Sequence, residues 1–397
     1  MSLKERWLLP EGIDELMPDQ AAQLEILRRK LIDKMQSWGY QLVFPPLVEY
    51  LDSLLTGTGK TLDLQTFKLT DQMSGRLMGI RADMTPQVAR IAAHNLRNNH
   101  NAVLRLCYIG NVLHTLPNGQ GTSRNPIQLG AEIYGHAGPE SDMEILQLMF
   151  EALSVSGVIS TLLLDIGHVG IYRGLAQHAG LNDEQEQELF SALQRKALPE
   201  IESLLTAYQL SADNHAMLLA LAELNGGVEV LKRAKQVLSR APEQVQLALS
   251  SLQTMADLIA QRLPDIAINF DLAELRGYHY HTGIVFAAYQ TGSAQAIAMG
   301  GRYDDIGKDF GHAQPATGFS LDLKTLVTQL PRPDEEKQVI AVIRSDDDQQ
   351  QEVVEQLRRQ GEVVIYQLAD TKLTATRTLI QQNGRWIVTE TGTETRG

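Results

Sequence analysis

The chain has 397 residues, 43% of them hydrophobic, a formal charge of −13 and a single cysteine, Cys107. That length and hydrophobic content suffice for two or three domains with substantial cores, and one cysteine excludes an intramolecular disulfide and any cysteine metal cluster. An isoelectric point of about 5.3 argues against broad nonspecific nucleic-acid binding, which depends on Lys and Arg neutralising phosphates. The first residues (MSLKERWLLPEG) carry no apolar signal core, and no run of about 18 uncharged apolar residues occurs, so neither secretion nor a membrane span is expected. The expected compartment is the cytoplasm.

The chain starts with a Pro/Gly-punctuated arm, WLLPEGIDELMPDQ, that leads into a helix. Leu24, Leu27, Leu31, Met35 and Trp38 recur at spacings of three and four, which makes one apolar stripe, and Pro18 with Asp19 supplies its start. GYQLVFPPLVEYLD predicts a short strand ended by Pro45 and Pro46, a pattern that favours an edge strand or a subunit contact. TGTGKT at 56–61 lacks the first glycine of a phosphate-binding loop, since Leu54 stands there. Between Gln65 and Arg90 the pattern is strand, turn, strand, helix, with Pro86 suited to a first helical turn. Asp83 and Thr85, at that last junction, either cap the helix or face a pocket.

From Arg105 to His136 two runs rich in β-branched and aromatic residues, RLCYIGNVLH and IQLGAEIYG, flank a series of turn formers, so the segment predicts two antiparallel strands and a long loop. Side chains alternate along a strand. Gln128, Gly130, Glu132 and Tyr134 therefore share one face, while Leu129, Ala131 and Ile133 share the other. A mid-strand carboxylate is costly to bury without a cation or hydrogen-bond donors. Glu132 thus marks either an outer strand with a solvated face or a binding site.

Residues 141–175 read as a helix followed by a buried strand, STLLLDIGH. From about Leu181 to Leu263 the composition turns helical, with Leu-rich stripes broken at Pro199, Asn225–Gly227 and Pro242, and this reads as a separate helical insertion. Strand patterns return at DIAINFDLAELRGYHYHTGIVFAAY, where Arg276 opens a strand after which Gly277 lets a ligand approach the backbone. On that strand His279 and His281 share a face with Tyr280 opposite, and without a nearby carboxylate the histidines read as structural rather than metal-binding. GGRYDD suits a sharp strand junction or a site wall, and PATGFSLDLKTLV is a glycine-containing segment expected to become a helix. After a PRPDEEK linker the tail reads β-α-β with a further strand at RWIVTE.

IGNVLHTLPNGQGTSRNPIQLGAEIYG, ELRGYHYHTGIVF and GGRYDDIG…ATGFSLDL, in this order, resemble the motif-2 region, the histidine-specific signature and motif 3 of histidyl-tRNA synthetases. PEGIDELMP and GYQLVFPPLVEYLD resemble that family's entry sequence and the motif 1 of its dimer interface. The resemblance covers about residues 8–175 and 265–330. It implies an α+β class II aminoacyl-tRNA synthetase-like core, an antiparallel sheet of six or seven strands with flanking helices. The expected parts are a first core part at 1–178, the helical insertion at 179–264, a second core part at 265–330 and a small α/β domain at 338–397.

The same resemblance implies a histidine pocket lined by Asp83, Thr85, Arg124, Gln128, Glu132, Arg276, Tyr280 and His281. Asp83 and Thr85 stand at the family's glutamate and threonine, Gln128 and Glu132 match QLGxE, and Arg276, Tyr280 and His281 stand at the arginine and two tyrosines of RGLDYY. An acidic pair suits an ammonium and an arginine a carboxylate. The contacts to ATP are altered. Where the family has FRxE this chain has Leu113, His114, Thr115 and Leu116, and where it has GLER this chain has Asp322, Leu323, Lys324 and Thr325. Loss of even one such electrostatic donor typically costs about 10²- to 10³-fold in rate. The tail is also shorter than the family's anticodon-binding domain. This combination resembles the HisZ family, the non-catalytic regulatory subunits of ATP phosphoribosyltransferase. It implies no catalytic residues, metal or cofactor, a dimer through the motif-1-like segment, and a hetero-octamer with the short-form catalytic subunit HisG under feedback by L-histidine. A divergent active histidyl-tRNA synthetase is the alternative.

Overall fold

The apolar stripe of the first helix is real: α1 (Pro18–Ser37) starts with proline in its first turn and buries Leu27, Leu31 and Met35. The computed structural model describes residues 7–57, 60–96, 103–117, 122–157, 162–274, 277–278, 280–293, 295–311, 313–330, 339–368 and 375–390. After α1, β1 (Gln41–Val43) ends before Pro45, and β2 (Val48–Tyr50) follows Pro46. Two short helices, α2 (Leu51–Leu54) and α3 (Lys60–Gln65), precede β3 (Phe67–Thr70) and β4 (Leu77–Ile80), which pairs with both β2 and β3 in a small antiparallel sheet. Residues 58 and 59 of the TGTGKT stretch lie outside the described residues. The expected helix is α4 (Thr85–Arg90), continued by a π-helical turn over Ile91–Asn95.

The 105–136 segment forms β5 (Leu104–Asn111) and β6 (Ile127–Tyr134), paired antiparallel with Tyr108 opposite Gly130. Next come α5 (Pro139–Val155), β7 (Leu162–His168), α6 (Val169–Ala179), α7 (Asp183–Gln194), α8 (Leu198–Ala207) and α9 (Ala212–Leu221). The break at Asn225–Gly227 contains a two-residue strand, β8 (Asn225–Gly226), followed by α10 (Glu229–Val237), α11 (Glu243–Arg262) and β9 (Ala267–Asp271). Strands β10 (Ile284–Gln290), β11 (Ala296–Arg302) and β12 (Ala316–Asp322) lead to α12 (Leu323–Gln329).

Among the described residues nine of these strands form one sheet in the order β1-β5-β6-β12-β11-β10-β7-β9-β8. Its middle, β5 to β7, is antiparallel throughout, as expected of six strands. The sheet is wider than expected because β1 adds parallel to β5 and β9 adds parallel to β7. Glu132 does not lie on an outer strand. Strand β6 is flanked on both sides, by β5 and by β12.

Leu129, Ala131 and Ile133 enter one large core with residues from α1, α5, α6 and α11, and that core continues without a break through Leu189, Ile201, Leu218 and Leu231 of α7 to α10. The opposite face of the sheet carries a smaller core in which Met84, Val88 and Ala89 meet Leu106, Tyr108, Tyr134 and Tyr303. Burial of such side chains contributes roughly 1.5–3 kcal/mol each, so both faces are held firmly.

Two expectations need correction. The segment from Gly277 to His281 is a turn rather than a strand: the Tyr280 and His281 amides both donate to the Gly277 carbonyl at 2.8 Å, and Gly277 takes a left-handed φ of +64°. Sheet pairing resumes only at Ile284, so His281 lies on no strand face; His279 lies outside the described residues. PATGFSLDLKTLV becomes a helix only from Leu323, because Ala316–Asp322 is drawn between β6 and β11 as β12.

The chain divides into two compact units, Met1–Leu330 and Pro331–Gly397. In the second, β13 (Val339–Val342), α13 (Asp348–Arg359), β14 (Val363–Tyr366), β15 (Arg377–Gln382) and β16 (Arg385–Glu390) form a sheet in the order β14-β13-β15-β16. Its core is Ile340, Val342, Val354, Val364 and Leu379. Strand β15 was not apparent from the sequence, where RTLIQQ carries little alternation.

Candidate functional site

The site grows out of the middle of β6. Glu132 is 1% exposed, and its carboxylate accepts hydrogen bonds from the Tyr108 hydroxyl on β5, at 2.9 Å, and from Tyr303, just beyond β11. Room for this group comes from glycine. Gly318 of β12 pairs directly with Glu132, and a Cβ there would overlap the Glu132 carboxylate. Gly130 leaves the corresponding space for the Tyr108 hydroxyl.

Asp83 and Thr85 both belong to this network. The Thr85 hydroxyl lies 2.9 Å from the Tyr108 hydroxyl, so it reaches Glu132 through one phenol. Asp83 accepts from the Thr85 amide at 3.0 Å and from Gln128 Nε2 at 2.7 Å, while Gln128 Oε1 accepts from the Met84 amide at 2.9 Å. Asp83 therefore caps the start of α4 and also borders the pocket. Tyr280 stacks on Tyr303 with ring centroids 4.9 Å apart, and meets the His281 ring edge-on at 5.3 Å. Its hydroxyl is buried and has no hydrogen-bond partner among the described residues.

The electrostatics follow from burial. Removal from water pushes the Glu132 carboxyl up to about 8, with the Asp83 charge adding to the rise and the Tyr303 and Tyr108 hydroxyls opposing it. Burial likewise raises the phenols of Tyr108, Tyr134, Tyr280 and Tyr303, and the nearby Glu132 charge raises them further. The result is a buried acid with a second carboxylate, Asp83, nearby and a cluster of buried phenols around it.

Six of the eight residues singled out in the sequence, Asp83, Thr85, Gln128, Glu132, Tyr280 and His281, are gathered here. Arg276 lies outside the described residues. Arg124 points elsewhere: its Nε donates to the His114 carbonyl at 3.0 Å and its Nη1 to the Glu11 carbonyl at 2.9 Å, which fastens the N-terminal arm. Sequence reasoning missed Tyr108 and Tyr303, the two direct partners of Glu132. The mid-strand glycines opposite Tyr108 and Glu132, Gly130 and Gly318, were the available signal.

The altered phosphate-contact positions have other partners. His114 Nε2 lies 2.8 Å from the Ala82 carbonyl, Thr325 is hydrogen-bonded to Asp322, and Lys324 pairs with Asp14 of the arm at 3.0 Å. Arg302 of the GGRYDD segment is structural. Its buried guanidinium pairs with Asp142 at 3.0 Å and donates to the carbonyls of His136 and Gly138, fixing β11 to the start of α5. No group of three His, Cys, Asp or Glu residues that could hold a metal is found among the described residues, and no helix there is long and apolar enough to cross a membrane.

An antiparallel sheet whose middle strands carry a buried acidic pocket, with a helix starting at its rim, defines a class II synthetase-like protein of the histidyl type. The histidyl-tRNA synthetase family profile matches residues 12–326. A histidyl-tRNA synthetase from Nostoc shares this fold, with a TM-score of 0.76, 19% identity and 97% of each chain covered. The profile of the ATP phosphoribosyltransferase subunit HisZ C-terminal domain matches residues 337–389. The ATP phosphoribosyltransferase regulatory subunit of Nitrosococcus oceani is 54% identical over 395 residues, 98% of each chain, and that of Pseudomonas putida is 54% identical over 396 residues, 98% of this chain and 99% of the relative. A solved ATP phosphoribosyltransferase regulatory subunit/histidyl-tRNA synthetase from Bacillus halodurans has a TM-score of 0.80 at 27% identity, covering 92% of this chain and 94% of that one. The chain belongs to the HisZ family, the regulatory subunits of ATP phosphoribosyltransferase.

Proposed function

We propose that this chain is a cytoplasmic, non-catalytic subunit that assembles with the short-form catalytic subunit HisG, activates it, and carries the feedback signal of the pathway's product, L-histidine, in the pocket at Glu132. The observation that carries the reading is the contrast between two regions of one sheet. Around Glu132 and Asp83 the acidic and phenolic side chains that the resemblance assigns to histidine are brought together in one network. At the phosphate-contact positions, His114, Lys324 and Thr325 are engaged by the protein itself. In this reading the two carboxylates attract the ligand's ammonium and the phenols hydrogen-bond its polar groups.

Regulation then needs only a difference in affinity. Histidine must bind one state of the assembly more tightly than another, and that differential alone can shift catalysis. The motif-1-like segment supports self-association, since Phe44 and Leu47 beside β1 and β2 are exposed apolar side chains. A hetero-octamer with HisG is the expected assembly. The deciding experiment is calorimetric titration of L-histidine into the purified chain, paired with an assay for histidine-dependent ATP–pyrophosphate exchange. Binding without exchange supports a sensor; exchange activity would make the chain a divergent synthetase instead.

A further inference from the structure

The turn that presents Tyr280 is held from behind by the helical region, and it is held at both ends of the residue that matters. Arg173 of α6 donates from one nitrogen to the carbonyls of Tyr278, at 2.7 Å, and His281, at 3.1 Å. Its guanidinium carbon also sits 4.9 Å from the Tyr278 ring centroid. The Tyr278 ring is 4% exposed and wedged between Tyr172 of α6, at 5.4 Å, and Phe190 of α7, at 5.3 Å. The Tyr278 hydroxyl donates to the carboxylate of Glu186 in the first turn of α7. At the root of the same segment, Lys196 just after α7 pairs with Asp271 at 2.8 Å. On the sheet side Thr282 donates its amide to the Arg302 carbonyl at 2.7 Å and its hydroxyl accepts from the Asp304 amide at 2.9 Å.

Tyr278 and Tyr280 thus serve opposite sides of one tight turn. Tyr278 reaches the helices, and Tyr280 reaches the Glu132 pocket by stacking on Tyr303. Gly277 permits the arrangement, because it takes the left-handed φ and a Cβ on it would collide with the His281 ring. In the RGLDYY signature that this segment resembles, leucine stands where Tyr278 stands here. A leucine would supply the apolar wedge. Only the phenol supplies a hydrogen bond to α7, so the wedge alone does not account for it.

We propose that Tyr278 is a positioning residue for the ligand pocket: its hydrogen bond to Glu186 couples α7 to the placement of Tyr280, so that the helical region senses whether the pocket is filled. This rests on the histidine reading above. Tyr278 touches no ligand. It acts through two residues of backbone, and its loss therefore alters affinity rather than abolishing binding. Removing contacts that touch neither ligand typically changes coupling by amounts equivalent to about 2- to 30-fold.

The test is calorimetric titration of L-histidine into the full chain and its Tyr278→Phe, Glu186→Ala and Glu186→Gln variants, each with its thermal midpoint recorded. Phenylalanine keeps the ring packing and removes only the hydroxyl. Glutamine keeps an oxygen that can accept from the phenol. The expected result is about 3- to 10-fold weaker binding for Tyr278→Phe and Glu186→Ala, no further loss when the two are combined, and near wild-type affinity for Glu186→Gln. Unchanged affinity in both weakened variants overturns the inference and leaves the histidine reading standing. So does a loss that merely tracks the fraction of unfolded protein, and Glu186→Ala supplies the answer if Tyr278→Phe fails to fold. A wild-type chain that binds no histidine overturns the reading itself, and the inference with it.

Discussion

Glu132 and Gly318 face each other across β6 and β12, and the acid occupies the space that a side chain on its neighbour would fill. A single methyl group at Gly318 is therefore incompatible with the present position of the carboxylate. Gly318→Ala should force Glu132 away from Tyr303 and cost about 1–3 kcal/mol of stability, as overpacking of cores does. Urea unfolding measures this, and the same variant should bind L-histidine more weakly. A variant as stable as the parent would mean that the Glu132 carboxylate does not fill this space.

The raised Glu132 carboxyl also gives stability a sign with pH. The unfolded chain loses this proton near its ordinary value of 4.5, the folded chain only near 8. The contribution of this group is thus fully present below about 4.5, declines as pH rises and is lost above about 8. Glu132→Gln, neutral at every pH, removes that slope. Unfolding free energies at pH 5, 6.5 and 8 should show the parent losing its advantage over the variant step by step, and a constant difference would mean that Glu132 is already ionised at pH 5.

Ligand binding should move the same proton. An ammonium placed beside Glu132 and Asp83 favours the ionised carboxylate, so histidine arriving near pH 7 should release a proton from Glu132. Calorimetry in buffers of different ionisation enthalpy reads this directly. The proton count should fall in Glu132→Gln, and equal counts in the two proteins would place the ligand's charge away from Glu132.

Arg302 holds β11 to α5. Its guanidinium is buried against Asp142, Ser141 and two carbonyls, and replacing it with alanine leaves Asp142 without its cation in the interior. A loss of about 3–5 kcal/mol is expected, as for other buried pairs broken from one side. Chemical denaturation checks it, and a cost below about 1 kcal/mol would show that water replaces the guanidinium easily.

How far the sequence could be read depended on whether the signal was local. Strands β5 and β6 were legible because runs of strand formers flank a series of turn formers, and the two faces of β6 followed from alternation. The start of α4 was legible from Pro86. What stayed hidden came from partners distant in the chain. Nothing near Ala316–Asp322 shows that it will be drawn between β6 and β11, so a sequence that also suits a helix was expected to become one. Tyr108 and Tyr303 look like ordinary core aromatics until the register sets them against Glu132. The turn at Gly277 reads as a strand because its residues are strand formers, and it turns through a left-handed glycine held by the distant Arg173.

The pairing of β6 with β12 joins Glu132 to a residue made long after it, since Phe319 and Gly318 follow nearly the whole first unit in the chain. During synthesis, which adds roughly 5–20 residues per second, the acid is formed early and has no finished surroundings until β12 emerges. Contacts between such distant segments close slowly. The nascent chain thus carries a carboxylate whose enclosure waits for the last strand of the sheet, so burial of Glu132 marks completion of the first unit.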